Sequence, residues 1–388
     1  MKHIIKYIVN ILIKVYLMFK ASLIKKNKIL FFGFSPMNYT MFKPIHKEIE
    51  RISKTKVVLS FTDKDVNLNE YQKLGVNNIL PMEIAIKKIW DAIILCDFEA
   101  GRFRWTSNFI QIYHGVAAKK YSYIDSKGSE KFGDFRNHHT LPLYDIIFFI
   151  NNIDYKNAIL NNNIKKGAKS YVSGMCCLDE LKNNCKPENI KKIKEKYIPV
   201  EYKNRNVILY APTWDDYSSY CRIGDKILNN LTSYNAFIII KPHPNCLRNN
   251  IGKTNYDLKT FIKMEFKYNN YAIITDTPYE VMAISDLMIT DFSSIALEYT
   301  LLRKPIYFFL GKDTKNNVCD YEQLDLLIKS STIFYEDQDI SNILFDVSSF
   351  NNENIKYMDI IQDKYFPKYG NSTREIIDKL ILNKIIIK

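Results

Sequence analysis

The sequence alternates between short apolar runs and helix-like segments, and this alternation stops and restarts once along the chain. "KVVLSF" and "DAIILCD" are such runs in the first half, and "VILYAPTW" and "AFIIIKPHP" are such runs in the second. Apolar runs of this length are typical of parallel strands buried on both faces. A chain of 388 residues also exceeds the size at which one core stops growing. We therefore predict an α/β protein with two doubly wound, Rossmann-like domains.

The predicted domain boundaries follow from where the alternation is interrupted. Residues 27–181 form the first domain, and residues 182–205 form a polar, lysine-rich linker with a short helix. Residues 206–388 form the second domain and end in a C-terminal helix. GT-B glycosyltransferases consist of two such domains that face a cleft. In both domains, ligands are expected at the carboxyl ends of the strands.

Residues 1–26 differ from the rest of the chain. Lys2, Lys6, Asn10 and Lys14 are each four residues apart, so on a helix they occupy one narrow arc, and the remaining face is apolar. A central lysine disfavours a membrane-spanning helix. A basic amphipathic helix that associates with an anionic membrane surface fits better. The alternative is a helix packed on the protein's own domain.

Charge and cysteine content narrow the classes of partner. The formal net charge is +13, from 55 basic and 42 acidic residues, which favours anionic partners such as phosphorylated substrates or anionic lipid. The charges are spread along the chain without a nucleic-acid-binding signature, so no nucleic-acid partner is expected. The seven cysteines lack metal-type pair spacing, which indicates reduced thiols in the cytoplasm and no metal site.

Polar residues stand directly after four predicted strands, where packing alone does not require them. The four groups are His114 with Gly115, Pro212 with Thr213, Lys241 with His243, and Asp291 with Ser293 and Ser294. Because ligands of doubly wound sheets bind at the carboxyl ends of strands, these groups are candidate site residues.

Two of these groups have a chemical interpretation from the residues alone. A single histidine is usually a core residue, but Gly115 allows another group to approach the backbone closely, and histidine is the commonest general base. In Lys-Pro-His-Pro the two prolines withhold backbone donors. Side chains must then make the contacts, and Lys241 with His243 suits a phosphate group.

The group formed by Asp291, Ser293 and Ser294 lies where a strand meets a helix. Asp291 or Ser293 is expected to cap the helix that begins at Ser294. A helix N-terminus also presents free N–H groups to an anion, so the same turn is a candidate phosphate site. Glu298 follows about one turn later, where it could meet a ribose or other hydroxyl group.

These motifs together resemble the CDP-glycerol glycerophosphotransferase family, which includes teichoic acid primases and polymerases and related capsule polymerases. Four motifs occur in the family's order. They are "YHG" followed by Lys119 and Lys120, "LYAPTW", "KPHP" and "ITDFSSIALEY". "YVSGMCCLDEL" and "YGNSTREI" resemble two further segments, the second of which contains Arg374. The resemblance spans roughly residues 105 to 380.

The resemblance implies a GT-B fold with an acceptor-side first domain and a second domain that binds a CDP-alditol, with CDP-glycerol as the first choice. An alditol phosphate passes to a polymer or lipid-linked acceptor, CMP leaves, and no bound cofactor takes part. With the reduced cysteines and the amphipathic segment 1–26, the enzyme is expected to be cytoplasmic and peripheral on the inner face of the membrane. His114 matches the family's candidate base and His243 its phosphate-binding histidine. The substrate-binding positions are Gly115, Lys119, Pro212, Thr213, Lys241, Asp291, Ser293, Ser294, Glu298 and Arg374.

Three departures from the family pattern keep alternatives open. Val116-Ala117-Ala118 replaces the usual Thr-Pro after His-Gly, Asp215-Asp216 stands where arginine is frequent, and Glu298 stands where aspartate is usual. One alternative is a GT-B glycosyltransferase or epimerase that uses a UDP-sugar. Another is a non-catalytic protein that binds a membrane surface. The sequence names neither the alditol nor the acceptor.

Overall fold

The structure is a computed structural model of the chain. It describes residues 28–33, 38–61, 78–96, 108–113, 115–116, 120–124, 130–134, 140–161, 163–214, 217–232, 234–243, 270–275, 278–318, 320–339 and 349–387. The predicted N-terminal amphipathic helix lies outside these residues, as do His114 and Lys119. The chain divides into two compact units, which are unit 1 (1–114, 137–179 and 371–388) and unit 2 (115–136 and 180–370).

Fourteen strands are present in the described residues. In chain order they are β1 (Lys28–Gly33), β2 (Lys56–Phe61), β3 (Ala92–Leu95), β4 (Phe109–Ile112), β5 (Lys120–Ile124), β6 (Glu130–Asp134), β7 (Ile146–Phe149), β8 (Lys169–Val172), β9 (Asn206–Ala211), β10 (Ala236–Ile240), β11 (Tyr271–Ile273), β12 (Leu287–Thr290), β13 (Ile306–Phe309) and β14 (Thr332–Phe334).

Eleven α-helices are present in the same residues. They are α1 (Tyr39–Ile52), α2 (Met82–Ala85), α3 (Asn152–Leu160), α4 (Cys177–Asn184), α5 (Pro187–Tyr197), α6 (Ser219–Thr232), α7 (Pro278–Ile284), α8 (Ser294–Tyr299), α9 (Tyr321–Lys329), α10 (Asn352–Tyr365) and α11 (Ser372–Leu382). A 3₁₀ turn, Thr300–Leu302, continues directly from α8.

Unit 1 is built on a six-stranded sheet in the order β2-β1-β3-β4-β7-β8. Every neighbouring pair is parallel. The helix α1 is amphipathic, and it buries Phe42, Ile45 and Ile49 in the core of this unit. The doubly wound prediction for the first half of the chain is therefore confirmed.

The C-terminal helix α11 belongs to unit 1, whereas chain order predicted it as part of the second domain. Its apolar residues Ile376, Ile377 and Leu380 join the same buried cluster as α1. An apolar helix face packs on whichever core it reaches, and chain order does not decide which core that is.

Unit 2 contains a second six-stranded sheet in the order β11-β10-β9-β12-β13-β14, again all parallel. The antiparallel hairpin β5–β6 is grouped with this unit, although the predicted boundary assigned it to the first domain. The predicted linker holds α5, which buries Ile193. Lys196 and Tyr197 of α5 both donate hydrogen bonds to the Glu280 carboxylate, at 2.6 Å each, so this segment packs within unit 2.

A membrane-spanning helix would have to be long and almost uniformly apolar. No helix within the described ranges meets both conditions.

Candidate active site

Three neighbouring strands of unit 2 end where the predicted polar residues begin. β9 pairs with β10 on one side and with β12 on the other. Pro212, Lys241 and Asp291 each directly follow one of these strands, so they lie along one edge of the sheet. The chain runs from β9 to β10 and β11 on one side and resumes with β12 on the other. The boundary between β9 and β12 is thus the topological switch point, where doubly wound sheets bind ligands.

Asp291 ties the loop after β9 to the end of β12. One carboxylate oxygen accepts a hydrogen bond from the Thr213 amide at 2.9 Å. The other accepts bonds from the Ser219 amide at 2.8 Å and the Ser219 hydroxyl at 2.9 Å. Asp291 is only 1% exposed. These bonds give a buried carboxylate the partners it requires and satisfy an amide of the first residue of α6.

This arrangement corrects the expectation that Ser293 caps α8 with its side chain. The Asp291 carboxylate bonds to the first residue of α6, which follows the neighbouring strand. Ser293 occupies the N-cap position of α8, but its side chain makes no capping hydrogen bond. Strand adjacency explains the bonds of Asp291, because β12 lies beside β9 and an acid just after β12 reaches the loop that leaves β9.

Ser293 carries a buried hydroxyl group that the fold does not use. Its Oγ atom has no hydrogen-bond partner among the described residues, and the residue is 9% exposed. An unpaired buried hydroxyl costs roughly 1–3 kcal/mol of folding free energy. At a topological switch point, such a hydroxyl is available for a contact with a ligand.

Gly115 packs against the neighbouring Ser294. A Cβ atom added at Gly115 would lie 2.5 Å from the Ser294 Oγ and 3.3 Å from its Cβ. The close approach that the sequence predicted at this glycine is therefore present, and the approaching group is the Ser294 hydroxyl. The residue directly before Gly115 in the chain is His114.

Gln323 is a residue that the sequence did not identify. It lies on α9, is fully buried, and donates a hydrogen bond from Nε2 to the Val116 carbonyl oxygen at 2.8 Å. Val116 is itself only 2% exposed. No local pattern marks this glutamine, because its partner is 207 residues away in the chain.

Lys241 and His243 follow β10 in the predicted way. The Lys241 amide donates to the Tyr210 carbonyl at 2.8 Å, which extends the sheet pairing beyond β10. The Lys241 side chain is buried, and its Nζ lies 3.3 Å from the Pro242 carbonyl oxygen. The His243 ring lies 6.0 Å from the Trp214 ring, centroid to centroid, at an interplanar angle of 31°. A buried ammonium and a partly exposed imidazole therefore stand at the same edge.

Glu298 lies inside the packing of unit 2. It is 4% exposed, and its carboxyl group is hydrogen bonded to the Tyr279 side chain of α7. Burial raises the pKa of Glu298 to about 8, so the carboxyl group is largely protonated at neutral pH. Its predicted contact with a substrate hydroxyl remains a prediction.

The remaining predicted residues are His114, Lys119 and Arg374. His114 and Lys119 lie outside the described residues, so their roles stay predictions. Arg374 lies on α11 in unit 1, where its side chain is 82% exposed and its Nε is 3.9 Å from Asp378. Within the described ranges, no group of three or more His, Cys, Asp or Glu side chains is arranged to hold a metal ion.

Two of the recognised segments contact each other in unit 1. Asp179, the acid of "YVSGMCCLDEL", accepts hydrogen bonds from the amides of Ser372 and Thr373 at 3.1 and 2.7 Å. These amides open α11, so Asp179 satisfies donors at its N-terminus. Gly174 and Gly370 both have φ near +80°, a conformation that favours glycine. Asp179 therefore has a structural role in returning α11 to unit 1.

Comparison with known proteins identifies the family of the chain. The sequence model of the family described as CDP-Glycerol:Poly(glycerophosphate) glycerophosphotransferase matches residues 14–382. The teichoic acid glycerol-phosphate primase of Bacillus subtilis (strain 168) is 27% identical over 199 residues, which are 49% of this chain and 46% of the primase. The ribitol-phosphate polymerase TarL of Staphylococcus aureus is 26% identical over 230 residues, 54% of this chain and 36% of that protein.

Solved structures support the fold. The wall teichoic acid polymerase TagF aligns with a TM-score of 0.69 at 17% identity, covering 93% of this chain and 90% of that one. The UDP-GlcNAc 2-epimerase of Neisseria meningitidis aligns with a TM-score of 0.55 at 15% identity, covering 92% and 100%. Two parallel-sheet units with these matches confirm the predicted GT-B fold. By the extent of its family match, the chain belongs to the CDP-glycerol:poly(glycerophosphate) glycerophosphotransferase family.

Proposed function

We propose that this chain transfers an alditol phosphate from a CDP-alditol to a hydroxyl group of a cell-wall polymer or of its lipid-linked precursor, and releases CMP. Glycerol phosphate is the first choice of alditol phosphate, given the family. The observation that carries the proposal is the unpaired buried hydroxyl of Ser293 at the switch point of unit 2. The solved structures of TagF include one soaked with CDPG, and CDP-glycerol is the matching donor proposed for this chain.

The donor pyrophosphate would lie along the ends of β9, β10 and β12. The Ser293 and Ser294 hydroxyls can donate hydrogen bonds to its oxygens, and the Lys241 ammonium and His243 can offset its charge. Asp291 would hold Thr213 in place by accepting the 2.9 Å hydrogen bond from its amide. In phosphoryl transfer the protein contributes mainly positioning and charge stabilisation, and this set of residues supplies both.

His114 would act as the general base in the chemical step. It accepts the proton of the acceptor hydroxyl, whose oxygen then attacks the phosphorus that carries the alditol. The bond from that phosphorus to the bridging oxygen breaks, and CMP leaves with the electron pair. Histidine suits this task because its unperturbed pKa lies near neutral pH.

The test is a direct assay of the purified full chain with CDP-glycerol, CDP-ribitol and UDP-GlcNAc, each with a lipid-linked acceptor. We expect CMP release from a CDP-alditol, and an acceptor whose intact mass rises by alditol phosphate units. Release of UDP, or epimerisation of the UDP-sugar, would replace this proposal by the UDP-sugar alternative.

Thermal stabilisation by CMP, CDP and UDP separates the non-catalytic alternative. Stabilisation by the cytidine nucleotides alone supports the donor assignment. A protein stabilised by none of the three, and inactive in the assay, would instead be a surface-binding protein with a degenerate site. This comparison needs no knowledge of the acceptor.

We further propose that residues 1–26 bring the enzyme to the cytoplasmic face of the membrane, where a lipid-linked acceptor would lie. The lysine arc and apolar face of this segment support the proposal. We expect salt-sensitive sedimentation of the full chain with vesicles that contain anionic lipid. A chain lacking residues 1–26 should stay in the supernatant, and equal sedimentation of both would assign the segment a structural role only.

A further inference from the structure

Gln323 is held at both its main chain and its side chain. Its amide donates to the Asp320 carboxylate at 3.0 Å, where Asp320 is the N-cap residue of α9. Asp320 in turn accepts a hydrogen bond from the Tyr365 hydroxyl of α10 at 3.4 Å. Gln323 therefore presents its side-chain amide from a fixed helix start.

The partner of that side chain is the backbone that follows the proposed base. Gln323 Nε2 donates to the Val116 carbonyl at 2.8 Å, and both residues are buried. The preceding residue, Gly115, packs on the Ser294 hydroxyl. The two-residue segment is thus fixed on one side by α9 and on the other by the start of α8.

We propose that Gln323 is a positioning residue that holds the Gly115–Val116 backbone against Ser294, and with it the chain that leaves His114. The inference rests on the proposed function, because it takes His114 as the base. Positioning of this kind matters because a displacement of about 1 Å at a reacting group can cost on the order of 100-fold in rate.

The side-chain chemistry of this contact allows a specific test. Methionine at position 323 has similar length but no N–H group, so it leaves the buried Val116 carbonyl without its donor. An ionised glutamate would face that carbonyl with a negative charge, whereas a protonated glutamate can donate to it. Burial favours the protonated form, so a Gln323→Glu variant should regain function as the pH falls.

The first measurement is the kinetics of Gln323→Met and Gln323→Glu with CDP-glycerol and a lipid-linked acceptor. We expect kcat of the methionine variant to fall by about tenfold or more, with CDP affinity changed by less than about threefold. The kcat of the glutamate variant, relative to the natural protein at each pH, should rise toward lower pH. A methionine variant with unchanged kcat, or a pH-independent glutamate ratio, overturns the inference.

Ser330→Ala is the matched control. Ser330 ends the same helix, is fully buried, and donates from Oγ to the Leu327 carbonyl at 3.0 Å. Its loss removes a buried side-chain-to-carbonyl bond from α9 without touching Val116. We expect a lowered melting temperature and a normal kcat. A kcat loss equal to that of Gln323→Met would assign both residues to general stability and overturn the inference.

Hydrogen exchange separates failure of this inference from failure of the proposed function. If the natural protein releases no CMP from any CDP-alditol, the proposed function fails, but the contact can still be tested. Peptides that contain Gly115 and Val116 should exchange faster in Gln323→Met than in Ser330→Ala. Equal exchange in the two variants would show that Gln323 does not hold this segment.

Discussion

The two ends of strand β12 carry similar polar residues that are used differently. At the amino end, Asp286 accepts a hydrogen bond from the Val207 amide at 2.7 Å. At the carboxyl end, Asp291 accepts one from the Thr213 amide at 2.9 Å. The two acids thus hold the two ends of the neighbouring strand β9.

The serines at the two ends differ. Ser285, before β12, donates to the Met282 carbonyl at 3.0 Å and lies 3.0 Å from the Tyr299 hydroxyl. Ser293, after β12, has no hydrogen-bond partner in the part of the chain that the structure describes. Folding thus uses the polar groups of the amino end, while the carboxyl end keeps a buried hydroxyl that a ligand can satisfy. Both acids therefore bond to β9 or its loop, and the serines distinguish the two ends.

The largest expected effect concerns the proposed general base. Replacing His114 by alanine should lower kcat by about 10²–10⁴-fold, the usual loss when a general base is removed. CDP affinity should persist, because the proposed pyrophosphate contacts come from other residues. Steady-state kinetics with a CDP titration checks both, and near-normal turnover would remove His114 from the mechanism.

Asp291→Ala tests whether the carboxyl-end acid is structural. Three donors, from Thr213 and Ser219, would lose their acceptor inside the protein. We expect the free energy of unfolding to fall by about 3–5 kcal/mol. CDP affinity should fall with it, since the loop that carries Thr213 loosens. Chemical denaturation measures the first effect. An equally stable variant would show that the hydrogen bonds of Asp291 are not needed for stability.

Lys304→Met tests the amino end in the same way. The Lys304 ammonium donates to the Ala283 and Ser285 carbonyls at 2.9 and 2.6 Å, and burial lowers its pKa. Its removal should cost about 1–2 kcal/mol of unfolding free energy. The kinetics should stay within about twofold of normal, because distant sites act independently. If Lys304→Met specifically lost CDP binding, the amino end of β12 would also contribute to the donor site, and the two ends would not differ as proposed.

Glu298→Gln should change the pH dependence of stability. The pKa of Glu298 is about 8 in the folded protein, against an ordinary value of 4.5. Between these values the folded state binds more protons than the unfolded state, so this group makes the unfolding free energy fall as pH rises. Glutamine cannot titrate, so the variant should lose less stability between about pH 5 and pH 8. Denaturant titrations at several pH values measure the unfolding free energy of both proteins. If it changes with pH equally in the variant and in the natural protein, the raised pKa of Glu298 is wrong.

Several features of the carboxyl end of β12 and its surroundings could be predicted from the sequence. The run "DLMITDFSS" predicted a buried strand that ends in polar residues, and Gly115 predicted a close approach. Local patterns do not, however, reveal which strands are neighbours. The bonds of Asp291 to the loop after β9 therefore appear only in the structure.

Other features depend on long-range packing. The contact of Gln323 with Val116 joins residues that no sequence period relates. The apolar face of α11 does not reveal in the sequence which core it joins, so its membership of unit 1 appears only in the structure. Sequence identifies which residue types carry chemistry, while the sheet order decides whether each one is satisfied by the fold.

The most direct test of the account is a matched pair of serine substitutions at the two ends of β12. Ser293→Ala removes an unpaired hydroxyl, so the melting temperature should stay the same or rise, while CDP affinity weakens by about tenfold through a lost bond to a charged phosphate. Ser285→Ala removes a paired hydroxyl, so the melting temperature should fall and CDP affinity should not change. If Ser293→Ala binds CDP as tightly as the natural protein does, the carboxyl end of β12 is not the donor site.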